Sequence, residues 1–111
     1  MKSVIVINSE VMGRGDDKLG EQIMGNFFNQ LLSSGHRPDA IIFYNTGVKL
    51  LSNDSPVSGT LNSLFKTGID LIACGTCISY FKLGENLVAG RVSNMQEIVS
   101  ILMDAEKVVT I

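Results

Sequence analysis

A chain of 111 residues fits one domain, residues 1–111, and is long enough to bury a core without disulfides or a metal to hold it together. Its 45% hydrophobic and 18% charged residues are those of an ordinary soluble globular domain, and a net charge of -2 supplies no basic field for phosphate backbones, which argues against a nucleic-acid partner. No apolar run approaches the ~20 residues that cross a bilayer, and the opening Met1 to Ile7 meets Asn8 and Ser9 too soon for a signal peptide, so the expected location is the cytoplasm, away from membranes.

Val4, Ile5, Val6 and Ile7 are consecutive β-branched residues, enough for a central strand and too few for a buried helix. The loop from Asn8 to Gly15 carries two glycines around Arg14, and Asp16 or Asp17 can cap the helix that follows. That helix is expected over Asp17 to Ser34. Its apolar stripe is Leu19, Ile23, Phe27 and Leu31, widened by Met24, Phe28 and Leu32, and Gly35 stops it.

After the polar turn His36-Arg37-Pro38, Ala40 to Tyr44 reads as a second short apolar strand, followed by a turn at Asn45-Thr46-Gly47-Val48. Ser55 before Pro56 resembles an N-cap with proline at the first helical position; Val57, Leu61, Leu64 and Phe65 are the expected buried face, and Gly68 ends the helix. Leu71 to Ala73 form a third strand. Residues 77 to 82 suggest a short helix closed by Gly84, and Leu87 to Gly90 a short fourth strand. Ser93 with Gln96 forms a capping-box pattern opening a helix with apolar Met95, Ile98, Val99 and Leu102, and Val108 to Ile111 is the last strand. Strands alternating with helices imply right-handed crossovers and a parallel sheet covered on both faces. The expected fold is therefore a three-layer α/β/α sandwich of flavodoxin-like appearance.

In such a sheet the loops following the strands share the carboxyl edge, where ligands of open α/β folds bind. Four loops are expected to converge there, bringing Gly13, Arg14, Gly15 and Asp16 together with Asn45 and Thr46, with Cys74, Thr76 and Cys77, and with Ser93 and Asn94. Both cysteines of the chain lie in Cys74-Gly75-Thr76-Cys77, where a buried strand runs into a helix. In a compartment that keeps thiols reduced, such spacing points to reactive, redox-active or metal-binding cysteines rather than a structural disulfide. A cysteine at a helix amino end gains from the free amides and the positive end of the dipole, which favours the thiolate. Zinc needs about four ligands. One C-x-x-C with a remote His36 falls short of that, so no metal is expected; two inert core thiols remain the plain structural alternative.

The loop Gly13-Arg14-Gly15 lacks the third glycine of a dinucleotide fingerprint, and Asp16-Asp17 would repel a pyrophosphate. It fits a small anion, a second subunit, or only a tight turn and helix cap. His36 follows a helix stop beside Arg37 and reads as a solvated turn residue. Met24, Met95 and Met103 read as core or interface filler.

Four segments together carry a resemblance: Met12-Gly-Arg-Gly-Asp-Asp-Lys-Leu-Gly20, Ile42-Phe-Tyr-Asn-Thr-Gly-Val-Lys-Leu50, Ala73-Cys-Gly-Thr-Cys-Ile78 and Val88-Ala-Gly-Arg-Val-Ser-Asn-Met95. Over essentially its whole length the chain resembles the DsrE-like superfamily, and within it the C-terminal DsrE-like domain of the YedF family of selenium-metabolism proteins. The resemblance implies a five-stranded parallel sheet between helices, oligomers of identical or related subunits, with a homo-oligomer expected here, and a cysteine after a central strand that carries sulfur as a persulfide; nucleophilic transfer of that kind needs no cofactor. Cys74 and Cys77 match that position. Either thiol could be the carrier: Cys74, taken as the exposed strand-end thiol, is slightly favoured as nucleophile with Cys77 as resolving or second thiol, whereas Cys77 lies closer to the helix start and its dipole.

The implied function is a sulfur or selenium carrier, sulfurtransferase-like, with donor and acceptor proteins as partners. A non-enzymatic oligomeric binding or regulatory module, or a dithiol redox switch, are the alternatives. Proteins of the YedF type also carry a preceding small domain resembling TusA, to which nothing in these residues corresponds. The resemblance is thus to a stand-alone relative or to the second domain of a longer protein.

Overall fold

The computed structural model describes all of residues 1–111. Short apolar runs form the inner strands because each must be buried on both faces: β1 (Ser3–Ile7), β2 (Ala40–Phe43) and β3 (Asp70–Cys74) are buried almost throughout. β4 (Arg91–Ser93) and β5 (Lys107–Thr110) flank them, giving a five-stranded sheet in the order β4-β3-β2-β1-β5 with every pair parallel. The helices are α1 (Asp17–Ser34), α2 (Ser58–Lys66), α3 (Gly75–Tyr80) and α4 (Met95–Asp104), and a 3-10 segment spans Asn45–Leu51.

The strand order decides where the helices go. From β1 to β4 the chain steps across the sheet in one direction, and right-handed crossovers put α1, α2 and α3 on the same face; the return from β4 to β5 puts α4 alone on the other. The two cores follow suit. One holds 16 buried residues, among them Ile5, Ile7, Met24, Phe28, Phe43, Leu61, Leu64 and Ile78. The other holds 6: Val4, Ala40, Ile42, Ile72, Cys74 and Ile98. The expected three layers are present, but they are unequal. Of α4 only Ile98 is fully buried, and β5 is exposed along its length, so the sheet is not covered evenly on both faces.

Local signals set α1 where the sequence places it: the Asp16 carboxylate accepts the Leu19 N–H at 2.9 Å, and Gly35 ends the helix at φ 78. The phase of its apolar stripe differs from expectation. Met24 and Phe28 are buried against the sheet and Gly20 against the loop at Val11 and Met12, whereas Leu19 is 55% exposed and Ile23, Phe27 and Leu31 line a shallow apolar groove with Met12. Gly20 sets this rotation, since a Cβ there would lie 2.9 Å from the Val11 Cβ; the loop packs directly onto the helix.

Three further expectations are corrected. α2 begins at Ser58, because Ser55 spends its hydroxyl on the Val57 N–H in a turn, and Phe65 is left exposed on its outer side. The fourth strand is Arg91–Ser93 rather than Leu87 to Gly90. Leu87 instead bridges antiparallel to Ser52, and the chain turns at Gly90 (φ 87), where a Cβ would meet the Leu71 carbonyl oxygen at 2.6 Å. The cap of α4 is Asn94, whose side chain accepts the Glu97 N–H at 2.9 Å, rather than Ser93 with Gln96.

The expected turn at Asn45 is longer than four residues. It runs through Leu51, and Val48, Leu50 and Leu51 sink into the larger core. Gly47 makes that possible, because a Cβ at this position would lie 2.4 Å from the Ile7 carbonyl oxygen. Gly47→Ala is therefore expected to lose about 1–3 kcal/mol in urea unfolding, the cost of overpacking. In contrast Gly59→Ala, in α2 with open space around it, is expected to gain about 0.5–1 kcal/mol from helix propensity.

Candidate functional site

The thiols sit at the carboxyl edge, as the topology requires. Cys74 is the last residue of β3 and the N-cap of α3, in extended conformation, and Cys77 is the third residue of that helix. The two thiols stand within one helical turn, near enough for Cys74 to act on the thiol of Cys77. Gly75 lets β4 run close beside them, since a Cβ there would lie 2.6 Å from the Ser93 carbonyl oxygen.

Their environments differ. Cys74 is 3% exposed and belongs to the smaller core with Ile42, Ile72 and Ile98, so it is not the exposed strand-end thiol expected from sequence. β3 ends under the α4 layer, and the side chain points into it. Cys77 is part-exposed and packs between the two cores. Its Sγ accepts the backbone N–H of Asn45 at 3.1 Å. Asn45 reaches this position at φ 51, a left-handed conformation that asparagine tolerates better than most residues, with its Oδ1 accepting the Thr46 N–H at 2.8 Å.

The expected thiolate at a helix amino end is not what the electrostatics give. Burial pushes the Cys77 thiol up, the neighbouring Cys74 thiol adds to the rise, and the Asn45 N–H opposes it. With only 6 residues, α3 has little dipole to offer. Cys77 is thus a neutral thiol at pH 7. Its alkylation by iodoacetamide should be slower there than that of a free cysteine and climb with pH past the ordinary thiol range. Cys74→Ala, which removes one of the two raising causes, should speed alkylation at pH 8 severalfold. The sign for stability follows: a folded state that holds this proton more tightly than the unfolded chain loses stability as pH rises through the thiol range.

The other sequence-predicted residues divide. Thr46 accepts the Glu10 N–H at 3.2 Å, tying the loop after β1 to the 3-10 segment that supports Cys77. Thr76 lies exposed on α3 between the thiols in sequence. Ser93 pairs with Cys74 across β3 and β4, and its hydroxyl donates to the Glu97 carboxylate; with the Asn94 cap this fixes the start of α4 beside the thiol turn. Gly13, Arg14, Gly15 and Asp16 are not drawn into the site. Gly13 (φ 84) and Gly15 (φ 123) shape an exposed loop, Asp16 caps α1, and Arg14 makes no hydrogen bond or ion pair.

Sequence reading missed a brace beneath the site. Arg91 on β4 bonds both Asp70 oxygens at 3.0 Å and both Glu97 oxygens at 2.7 and 2.9 Å, linking β3, β4 and α4. The Arg91 guanidinium, helped by Ser93, holds the Glu97 carboxyl down to about 2. The only signal was the arginine two residues ahead of Ser93, in a stretch where the strand itself was not recognised.

No third His, Cys, Asp or Glu converges with the two thiols, so a metal would find two protein ligands there. A cleft of about 680 Å³ also opens on the loops of this edge but contains neither cysteine. It is lined by Glu10, Asp17, Glu21 and Asp54 with Lys18 and Lys49, and the Lys49 ammonium stands 4.5 Å over the Phe81 ring.

A parallel sheet with a thiol pair at the carboxyl end of an inner strand defines a small α/β domain with its only cysteines at the carboxyl edge of the sheet. The chain belongs to the DsrE/DsrF-like family, whose profile matches residues 2–111. Solved structures with the same fold include the protein of unknown function MTH1491 from Methanobacterium thermoautotrophicum, 20% identical, with a TM-score of 0.66 over 96% of this chain and 97% of that one. A second is BT1422 from Bacteroides thetaiotaomicron, a conserved protein of unknown function, 19% identical, with a TM-score of 0.69 over 99% and 95% of the two chains. The ychN protein of E. coli is 13% identical, with a TM-score of 0.68 and complete coverage of both chains (100% each). No curated protein matches this chain in sequence.

Proposed function

We propose that this chain is a sulfur carrier that accepts sulfane sulfur on Cys77 as a persulfide and passes it to an acceptor. The observation that carries this reading is the part-exposed Cys77 sulfur held by the Asn45 N–H, directly beside the buried Cys74. Only Cys77 is open to a donor. Its raised proton affinity leaves fewer thiolates at neutral pH, but each thiolate is the better nucleophile for it. Attack on a donor persulfide moves one sulfur to Cys77 and releases the donor thiol. A persulfide is a stronger acid than its parent thiol, so the product is an anion, and the Asn45 N–H is placed to favour it. Nucleophilic transfer of this kind needs no cofactor.

Donor and acceptor are proteins in this reading, and the resemblance to the YedF type extends it to selenium. Thiols kept reduced suit the cytoplasm, and no helix is long and apolar enough to cross a membrane. Incubation with a small-molecule persulfide donor should add one sulfur to the intact mass; a mass unchanged by donor would remove the proposal.

The second reading, a non-enzymatic binding or regulatory module, draws on the cleft of about 680 Å³ that holds neither thiol. If it holds, replacing both cysteines by serine leaves the cellular role intact.

Assembly of identical subunits is supported by α4, where Met95, Val99 and Met103 form an apolar stripe at 52%, 51% and 79% exposure. Light scattering should give a multiple of the 12.0 kDa chain mass, with Val99→Glu shifting it towards one chain; a strict monomer at micromolar concentration would refute assembly.

A further inference from the structure

Two thiols side by side, one open and one sealed, imply an order of events, and the inference drawn from it rests on the carrier reading above. Cys74 is 3% exposed and enclosed by Ile42, Ile72 and Ile98, so an external donor has no access to it. Its partner on the next turn is Cys77, which has access. Cys74 at the N-cap lies near enough to Cys77, the third residue of α3, to raise the proton affinity of its thiol, and no disulfide joins them in the structure.

We infer that Cys74 is a resolving thiol that limits the life of the Cys77 persulfide by expelling its outer sulfur as sulfide. In the step, Cys74 gives up its proton and its sulfur attacks Sγ of Cys77. The bond between Sγ and the outer sulfur breaks, and the outer sulfur leaves with the electron pair and takes a proton as hydrosulfide. The Cys74 sulfur is oxidised from thiol to disulfide level, the outer sulfur is reduced to sulfide, and Cys77 Sγ is unchanged in level. No outside oxidant enters. A dithiol reductant then restores both thiols by ordinary exchange.

The consequence is a carrier with a built-in outlet. Sulfur that meets an acceptor promptly is handed on as sulfane sulfur; sulfur that waits is released as sulfide and the chain is left oxidised until reduced. The Asn45 N–H bears on this balance, because it is bonded to the Cys77 sulfur that Cys74 must attack.

The test uses the full chain and glutathione persulfide carrying a heavy sulfur isotope in its outer position, with excess donor removed after loading. The unaltered chain should first gain one heavy sulfur, then lose it while losing two hydrogens relative to the dithiol form, and release heavy sulfide in equal amount as a bimane adduct. Cys74→Ala and Cys74→Ser should keep the added sulfur about tenfold longer or more, because no neighbouring thiol remains to attack it. Two variants differing in polarity guard against a packing defect in either.

Loss of the label from both variants as fast as from the unaltered chain would overturn the inference. So would an unaltered chain that keeps its persulfide and forms no disulfide. If no chain gains sulfur at all, the carrier reading itself falls, and that outcome is distinct from loading without resolution.

Discussion

Cys77→Ala is expected to take up no sulfur from a persulfide donor, and Cys74→Ala to take up as much as the unaltered chain. The asymmetry follows from access. Cys74 ends β3 beneath the α4 layer, and Cys77 stands on the first turn of α3 with its sulfur against the Asn45 amide. Loss of the Cys77 sulfur leaves that amide without its acceptor, a cost of about 1 kcal/mol that part-exposure to water reduces, so the variant should remain folded. Uptake is read from intact mass, and folding of each variant from circular dichroism. Equal loss of uptake in both variants would place the chemistry on the pair and remove the single-carrier assignment.

Phe28→Ala is expected to cost about 3–5 kcal/mol, because a fully buried ring leaves a cavity that the sheet cannot close. Phe28 is wholly enclosed between α1 and the sheet. It stacks on Phe43 at 6.5 Å between ring centres and meets the edge of Phe27 at 5.4 Å. For a domain of this size such a loss is a large share of a total of about 5–15 kcal/mol. The variant should unfold at much lower urea with an unchanged slope. It also bears on the site, since Phe43 closes β2 two residues before Asn45, and a loosened β2 end should raise the alkylation rate of Cys77. A loss below about 1 kcal/mol would mean that α1 is held mainly by other contacts.

Local chemistry made much of this fold legible. The β-branched run Val4 to Ile7 can hardly be anything but an inner strand, and the Asp16 cap and Gly35 stop bound α1 to the residue. The thiol pair was legible as a strand-end turn for the same reason, an apolar run broken by glycine. What failed was decided at a distance. Leu87 to Gly90 is more apolar than Arg91 to Ser93, yet it serves as a bridge to Ser52, and the true edge strand is recognised only through the Arg91 brace to Asp70 and Glu97.

The phase of α1 was misread because Gly20, with no side chain of its own to signal burial, is the point of closest approach to the loop. The exposure of the two cysteines could not be read at all from C-x-x-C. It depends on which face of the sheet Cys74 joins, and that depends on α4 crossing from β4 to β5 on the side opposite the other helices. The same crossing leaves the stripe of Met95, Val99 and Met103 uncovered, where helical spacing alone suggested core or interface filler.

The most direct test is the position of the added sulfur. After brief loading with a persulfide donor, the chain is trapped with an alkylating agent, digested, and the peptide containing both thiols is fragmented. One extra sulfur is expected between Cys77 and the alkyl group, with Cys74 carrying none. Extra sulfur on Cys74 alone, or on neither residue after exposure to a competent donor, would contradict it.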